Sequence, residues 1–179
     1  MLTKTDIKPK SNELRHIDTI IIDEISMVRA DLLDAVDAAL RLSKKSELPF
    51  GGVQMVFIGD IFQLSPVLMG NEKHIVEKLY PDGAWFFNAH SYKRLIKTVF
   101  FFDQVYRQKD TIFIRALQKV RENDISNKLI QYFNQRVEVF DKIPKNVIVL
   151  APTNIRTNQI NLKKLNSLET TVFENNAHI

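Results

Sequence analysis

Residues 20–27 read Ile20-Ile21-Ile22-Asp23-Glu24-Ile25-Ser26-Met27. A run of β-branched apolar residues here ends in two adjacent carboxylates, and such a run is typical of a strand buried on both faces of a helix-covered parallel sheet. Ligands of open α/β sheets bind at the carboxyl ends of the strands. One acid there can hold a metal ion while the next orients an attacking water, so the pair predicts a magnesium–nucleotide site. An ordinary strand that ends in a solvated Asp-Glu turn would show the same dipeptide.

A second apolar strand follows about thirty-seven residues later and also ends in an acid. It continues into a loop, and the whole segment reads Val53-Gln54-Met55-Val56-Phe57-Ile58-Gly59-Asp60-Ile61-Phe62-Gln63-Leu64-Ser65-Pro66-Val67. Gly59 permits close backbone approach, and Gln63 offers a donor and an acceptor to a terminal phosphate or a water. Residues 30–45, between the strands, place apolar side chains at helical spacing. The order strand, helix, strand predicts a βαβ unit.

The second half of the chain is predicted to contain further strands and helices. Thr98–Phe102 reads as a third buried strand, and Asp110 is a suitable N-cap for a helix over residues 111–122. The remaining predicted elements are a helix over residues 126–135, a strand over residues 147–150 and a helix capped by Thr153. The three adjacent aromatics of residues 85–87 favour a core plug over a surface that stacks on bases.

Charge is distributed unevenly along the chain, whose net charge is +4. Residues 1–92 carry ten Lys and Arg against thirteen Asp and Glu, whereas residues 93–164 carry fifteen against six. A basic second half favours contact with the phosphate backbone of a nucleic acid. The alternative interpretation is that these lysines and arginines only solvate helix faces.

Composition sets further bounds. The 179 residues include no cysteine, which rules out disulfides and thiolate metal sites and fits a reducing compartment. No apolar run approaches the roughly 20 residues of a membrane span, and residues 1–12 lack the apolar region of a secretory signal. We therefore predict an intracellular (cytoplasmic) protein with no membrane partner. The sequence does not indicate an oligomeric state.

At these residues the chain resembles superfamily 1 helicases, most closely the petite-integration-frequency (Pif-type) and RecD-like branch. Motif II of that branch is matched by Asp23–Met27, motif III by Gly59–Val67 and motif IV by Gln104–Asp110. The strand and helix that follow are matched from Val149–Asn154 onward, and the likeness covers about residues 17–168. Any one of these short motifs is a weak signal, whereas four in the family order are a specific one.

The resemblance implies an α/β fold of RecA-like P-loop NTPase lobes, each a mainly parallel sheet flanked by helices. Residues 1–105 would form the C-terminal part of the first motor lobe, and residues 106–179 the N-terminal part of the second. The phosphate-binding loop G-x-x-x-x-G-K-[ST] is absent, because none of the five glycines is followed by Lys. Motifs V and VI are absent too. We therefore expect an internal slice of a helicase, with both lobes incomplete and no ATP hydrolysis of its own.

The resemblance also implies residue roles. Asp23 would hold Mg²⁺, through water, and Glu24 would polarise the water that attacks the γ-phosphate of ATP. Gln63 would contact the γ-phosphate or that water, and Asp60 would orient its loop in preference to binding metal. Arg107 would reach the γ-phosphate as an arginine finger; the alternative is a surface Arg that makes an exposed ion pair.

The resemblance also implies contacts with DNA. Thr153, Asn154 and Arg156 follow a predicted strand, and in the family such loops contact the backbone of single-stranded DNA. Thr153 is at least as well explained as a helix cap. By resemblance, the parent protein would use ATP and Mg²⁺ to translocate 5′ to 3′ on single-stranded or forked DNA.

The sequence therefore predicts part of an ATP-dependent DNA helicase. Two other functions stay open: a non-motor RecA-like regulatory NTPase that uses the same Asp-Glu pair, and a non-catalytic module whose basic half binds nucleic acid. A metal-dependent nuclease built on Asp23, Glu24 and Asp60 ranks below these, because the ordered motifs argue against it.

Overall fold

The computed structural model describes residues 12–139, 147–168 and 170. The chain divides into two compact units, residues 1–129 and residues 130–179. The motor-lobe boundary predicted at residues 105 and 106 refers to complete lobes, and it stays a prediction.

The first unit is built on a two-stranded parallel sheet, in which β1 (Thr19–Ile22) pairs with β2 (Gln54–Phe57). The register places Ile20 opposite Met55 and Ile22 opposite Phe57. These four side chains pack against the buried core, as alternation along a strand requires of residues two apart. A helix, α1 (Ala30–Lys44), connects the two strands, so the predicted βαβ unit is confirmed.

The helix α1 supplies the centre of the core. Leu33 and Leu40 lie on one face of it and are completely or almost completely buried. Phe50, in the short 3₁₀ segment Pro49–Gly52 before β2, is also fully buried. Its backbone N–H donates to the carboxylate of Asp37 at 2.6 Å, which fixes the turn to α1. Burying an aromatic ring and two leucines in this way contributes several kcal/mol in apolar transfer free energy, at about 1.5–3 kcal/mol each.

The other elements are mostly short. The helices are α2 (Gly70–Leu79), α3 (His90–Lys93), α4 (Thr111–Arg121), α5 (Asn127–Asn134) and α6 (Asn154–Leu165). The further 3₁₀ segments are Asn12–His16, Ile25–Met27 and Phe86–Asn88. The helices predicted over residues 30–45, 111–122 and 126–135 are thus confirmed within two residues at their ends. Asp110 caps α4 as expected, since its side chain accepts from the backbone N–H groups of Ile112 and Phe113.

Two predicted strands are absent from the described part of the chain. Residues 98–102 form no strand, and Phe100, Phe101 and Phe102 are 79%, 87% and 95% exposed. Residues 147–150 form none either. A β-rich segment becomes a strand only when its backbone groups pair with a neighbour. In the described residues β1 and β2 are the only strands, and they pair with each other.

The prediction that β1 is buried on both faces is also wrong. Ile21 is 64% exposed, whereas Ile20 and Ile22 pack against the core. The described helices cover one face of the sheet, so a continuous apolar run here marks a strand but not two-sided burial. The aromatic segment at residues 85–87 gives a mixed outcome. Phe86 is 6% exposed and packs edge to face on Tyr92, while Phe87 stays 37% exposed.

No helix in the described ranges combines the length and the apolar character that a membrane span needs.

Candidate functional site

The candidate site begins where β1 ends. Glu24 has φ 51° and ψ 42°, which lies in the left-handed region that residues other than glycine and asparagine rarely adopt. Its backbone N–H donates to Oδ1 of Asp23 at 2.8 Å, and the 3₁₀ segment Ile25–Met27 follows directly. Both carboxylates are exposed. Residues in such sparsely populated backbone conformations cluster at functional sites, where the surrounding structure holds them in place.

The loop after β2 lies beside the loop after β1. Hydrogen bonds continue past the paired strands, from the N–H of Ile58 to the carbonyl of Ile22 and from the N–H of Ile25 to the carbonyl of Ile58, each 2.9 Å long. Gly59 then passes so close that a Cβ on it would lie 3.0 Å from the Ile25 nitrogen and 3.4 Å from the Ser26 nitrogen. Motifs II and III therefore share one edge of the sheet, as the carboxyl ends of parallel strands do.

Asp60 organises the motif III loop. One carboxylate oxygen accepts from the backbone N–H of Phe62 at 3.0 Å, and the other accepts from the side-chain amide of Gln63 at 3.1 Å. The backbone N–H of Gln63 also donates to the Asp60 carbonyl at 3.1 Å. The loop is thus a compact turn with Gln63 at its exposed end.

A guanidinium from a distant helix completes this cluster. Nε of Arg121 lies 3.1 Å and 3.3 Å from the two carboxylate oxygens of Asp60, and its Cζ lies 5.0 Å from the centre of the Phe62 ring. Burial raises the pKa of Asp60, but the hydrogen bonds from Phe62, Gln63 and Arg121 outweigh it, so the pKa lies below its ordinary value of 3.8. The carboxylate is therefore ionised, and its donors engage both of its oxygens.

Asp23 and Asp60 differ in how many of their carboxylate oxygens have hydrogen-bond partners. Oδ1 of Asp23 accepts from the Glu24 backbone, and Oδ2 has no hydrogen-bond partner among the described residues. An exposed carboxylate oxygen is the ligand type that Mg²⁺ or its waters prefer. Asp60 lacks such a free oxygen. No cluster of three His, Cys, Asp or Glu side chains suited to a metal occurs within residues 12–139 and 147–168.

The remaining predicted site residues are Arg107 in the first unit and three residues of the second unit. Arg107 is exposed in the irregular segment between α3 and α4, and no ion pair joins it to another described residue. Thr153, Asn154 and Arg156 belong to the second unit, at the start of α6. There the Thr153 side chain accepts a hydrogen bond from the Arg156 backbone N–H, so Thr153 is the N-cap of α6.

Sequence reasoning missed two features of the site. The left-handed conformation of Glu24 has no local signal, because glutamate does not favour it. The contact of Arg121 with Asp60 has no local signal either, since the two residues lie 61 positions apart in the chain. A basic residue in the last turn of an amphipathic helix is too common to single out.

Two parallel strands joined by a helix, with an acidic pair after one and an Asp–Gln turn after the other, place the chain in the α/β class, in which a parallel sheet is flanked by helices. Within that class, a family model described as PIF1-like helicase matches residues 2–131. The chain therefore belongs to the PIF1-like helicase family.

Several relatives are named ATP-dependent DNA helicases. The chain is 32% identical over 163 residues to the helicase RRM3 of Saccharomyces cerevisiae, an alignment that covers 89% of this chain and 21% of that protein. It is 36% identical over 110 residues to the helicase PIF1 of Mus musculus, which covers 62% of this chain and 16% of the mouse protein. The chain thus spans about a fifth or less of the length of these two curated relatives.

Solved structures of Pif1 helicases have the same fold. A Bacteroides Pif1 in complex with ADP-AlF3 and single-stranded DNA matches with a TM-score of 0.77 and 31% identity, covering 96% of this chain and 39% of that one. A structure described as showing unwinding at forked double-stranded DNA by two coordinating Pif1 helicases matches with a TM-score of 0.79 and 34% identity, covering 88% and 38%. The fold class predicted from the sequence, a RecA-like α/β architecture, is confirmed.

Proposed function

We propose that the full-length protein carrying this chain is an ATP-dependent DNA helicase, and that this chain supplies its motif II and motif III loops. The main support is that these two loops lie side by side at one edge of a parallel sheet, in a member of the PIF1-like family. Their acids and amide are the groups needed to hold a metal-bound nucleotide and direct a water at it.

Each side chain has a distinct part in this proposal. Asp23 would hold Mg²⁺, through water, with its free carboxylate oxygen, and Glu24 would accept a proton from the attacking water at a carboxylate oxygen. Gln63 orients that water or contacts the terminal phosphate through its amide. Mg²⁺, when bound with ATP, neutralises charge that develops on the phosphate oxygens. Asp60 holds the turn that carries Gln63.

Arg107 is proposed as an arginine finger in the full-length protein. A finger contributes roughly 10³–10⁵ in turnover rate, whereas an exposed surface ion pair contributes under about 1 kcal/mol of stability. We expect Arg107→Ala and Arg107→Lys to lose ATP turnover alike, because an ammonium cannot reproduce the fork of a guanidinium. Unchanged turnover in Arg107→Ala would exclude this role.

Single-stranded and forked DNA are the proposed partners. Relatives have been solved with single-stranded DNA and at forked double-stranded DNA, and residues 93–164 are strongly basic. Thr153, Asn154 and Arg156 are the proposed backbone contacts, with Thr153 also capping α6. An intracellular location follows from the DNA substrate and stays a prediction.

The test is ATP hydrolysis and strand separation by the full-length protein on a forked duplex with a 5′ single-stranded arm. We expect hydrolysis that single-stranded DNA stimulates, together with strand separation. Stimulated hydrolysis without strand separation would instead indicate a non-motor NTPase. DNA binding without any hydrolysis would indicate a nucleic-acid-binding module.

A further inference from the structure

The contact between Arg121 and Asp60 joins two parts of the first unit that are far apart in sequence. Asp60 lies in the motif III loop that follows β2. Arg121 lies in the last turn of α4, the helix that follows motif IV. Both residues belong to residues 1–129. The contact therefore links the loop that carries Gln63 to the helix that follows the segment containing Arg107.

Arg121 and Gln63 share one acceptor. Both donate to Oδ2 of Asp60 at 3.1 Å, and the backbone N–H of Phe62 occupies Oδ1. The guanidinium also lies over the exposed ring of Phe62, a position favoured by the negative face of an aromatic ring. Arg121 thus touches the motif III turn twice, at its carboxylate and at its aromatic residue.

Stability alone is a weak account of this arrangement. The Arg121 side chain is 42% exposed and the Asp60 side chain 25% exposed, and ion pairs at such positions contribute little to folding. What the contact does determine is direction. With Arg121 in place, the Asp60 carboxylate is fixed in the orientation that binds the Gln63 amide NH₂, and no described residue donates to the amide oxygen of the exposed Gln63.

We propose that Arg121 is a positioning residue for motif III. It fixes the Asp60 carboxylate, and through it the side chain of Gln63, so that a movement of α4 is transmitted to the nucleotide site. This inference rests on the function proposed above. In it, Arg121 acts on the nucleotide site through Asp60 and does not itself touch the reacting atoms.

The experiment measures ATP turnover by the full-length protein at saturating single-stranded DNA. We expect Arg121→Gln to lower kcat by about tenfold while the KM for ATP changes less than about twofold, because orientation is lost and phosphate binding is not. Arg115→Gln is the matched control. Arg115 lies exposed in the same helix, and no ion pair joins it to another described residue.

A double-mutant cycle separates positioning from general disturbance. If Arg121 acts through Asp60, adding Arg121→Gln to Asp60→Asn should lower kcat no further than Asp60→Asn does alone. Arg121→Lys should restore part of the rate, since an ammonium can still reach one carboxylate oxygen. A second readout uses the 179-residue chain itself: the side-chain NH₂ signals of Gln63 in NMR should shift in Arg121→Gln and stay in place in Arg115→Gln.

The outcomes are distinguishable. Wild-type turnover that depends on Glu24, combined with an unchanged kcat and unshifted Gln63 signals in Arg121→Gln, would overturn the inference and leave the proposed function intact. Equal losses in Arg121→Gln and Arg115→Gln would also overturn it. A wild-type protein without ATP turnover would overturn the proposed function, and this inference with it.

Discussion

Gly59 lets the two loops of the candidate site lie against each other. Its backbone φ is ordinary, so the demand for glycine comes from space and not from conformation. An added Cβ would lie 3.0 Å from the nitrogen and 3.1 Å from Cγ2 of Ile25. Both atoms belong to the turn after β1, which cannot give way without disturbing the left-handed Glu24 next to it.

We expect Gly59→Ala to destabilise the 179-residue chain by about 1–3 kcal/mol, the usual effect of forcing a methyl group into a packed site. Urea denaturation of the chain measures this directly. Gly70→Ala is the control. It lies at the start of α2, where a Cβ would meet nothing within 4 Å, and alanine there should be neutral or stabilising. Equal midpoints for the two variants would contradict the close approach of the loops.

At the residue scale, the sequence predicted that Asp23, Glu24 and Gln63 follow two neighbouring strands at one edge of the sheet, because the carboxyl ends of parallel strands meet there. Their roles stay predictions. The sequence could not predict the backbone of Glu24 or the partner of Asp60. The first depends on the turn that the following 3₁₀ segment requires, and the second on a contact between residues 61 positions apart. Neither leaves a local pattern.

At the element scale, Arg29 joins the start of α1 to α2 through two ion pairs, a bidentate one with Asp31 and a single one with Glu72. Arg29 donates to both carboxylate oxygens of Asp31, at 2.9 Å and 2.6 Å, and reaches Glu72 in α2 at 2.6 Å. Burial raises the pKa of Asp31, but the hydrogen bonds and the charge of Arg29 lower it more, so the pKa lies below 3.8. The ion pair therefore favours the folded state while Asp31 is ionised.

This shift gives a pH dependence with a definite sign. A carboxylate whose folded pKa lies below its unfolded value stabilises the fold fully above the unfolded value, and the contribution is lost as pH falls through the folded pKa. We expect Asp31→Asn to lower the urea midpoint at about pH 6 and to differ less from wild type as pH falls below about 4. Asp103→Asn, at an exposed position, is the control. A deficit in Asp31→Asn that does not change with pH would contradict this account.

The predicted helices α1, α4, α5 and α6 are confirmed, whereas two of the four predicted strands are absent from the described residues, for one physical reason. A helix such as α4 satisfies its own backbone, and its cap at Asp110 and its apolar spacing are local. A strand needs a partner elsewhere in the chain. Residues 98–102 have the composition of a strand, but in the described part of the molecule no neighbour pairs with them.

At the scale of the whole molecule, the order of the motifs identified the family where composition could not. The positive net charge of residues 93–164 is likewise a property of the chain as a whole, since it depends on no single residue. If that half contacts phosphates, binding releases counterions, and the logarithm of the affinity falls linearly with the logarithm of the salt concentration.

We expect the 179-residue chain to bind a fluorescent oligo-dT weakly and with this salt dependence. Arg156→Gln should reduce the slope by about 0.7, the value for one phosphate contact on a single strand. Lys78→Gln, in the acidic half, should leave it unchanged. Fluorescence anisotropy over about 50–200 mM salt measures both slopes. An affinity that does not respond to salt would argue against the phosphate contacts.

We propose that Asp23 and Glu24 form the hydrolytic end of a helicase site, and the decisive test is Glu24→Gln in the full-length protein. We expect this variant to bind a fluorescent ATP analogue with Mg²⁺ but to lose DNA-stimulated ATP hydrolysis by at least about 100-fold, since the amide cannot accept the proton. Hydrolysis at the wild-type rate in Glu24→Gln would contradict the claim.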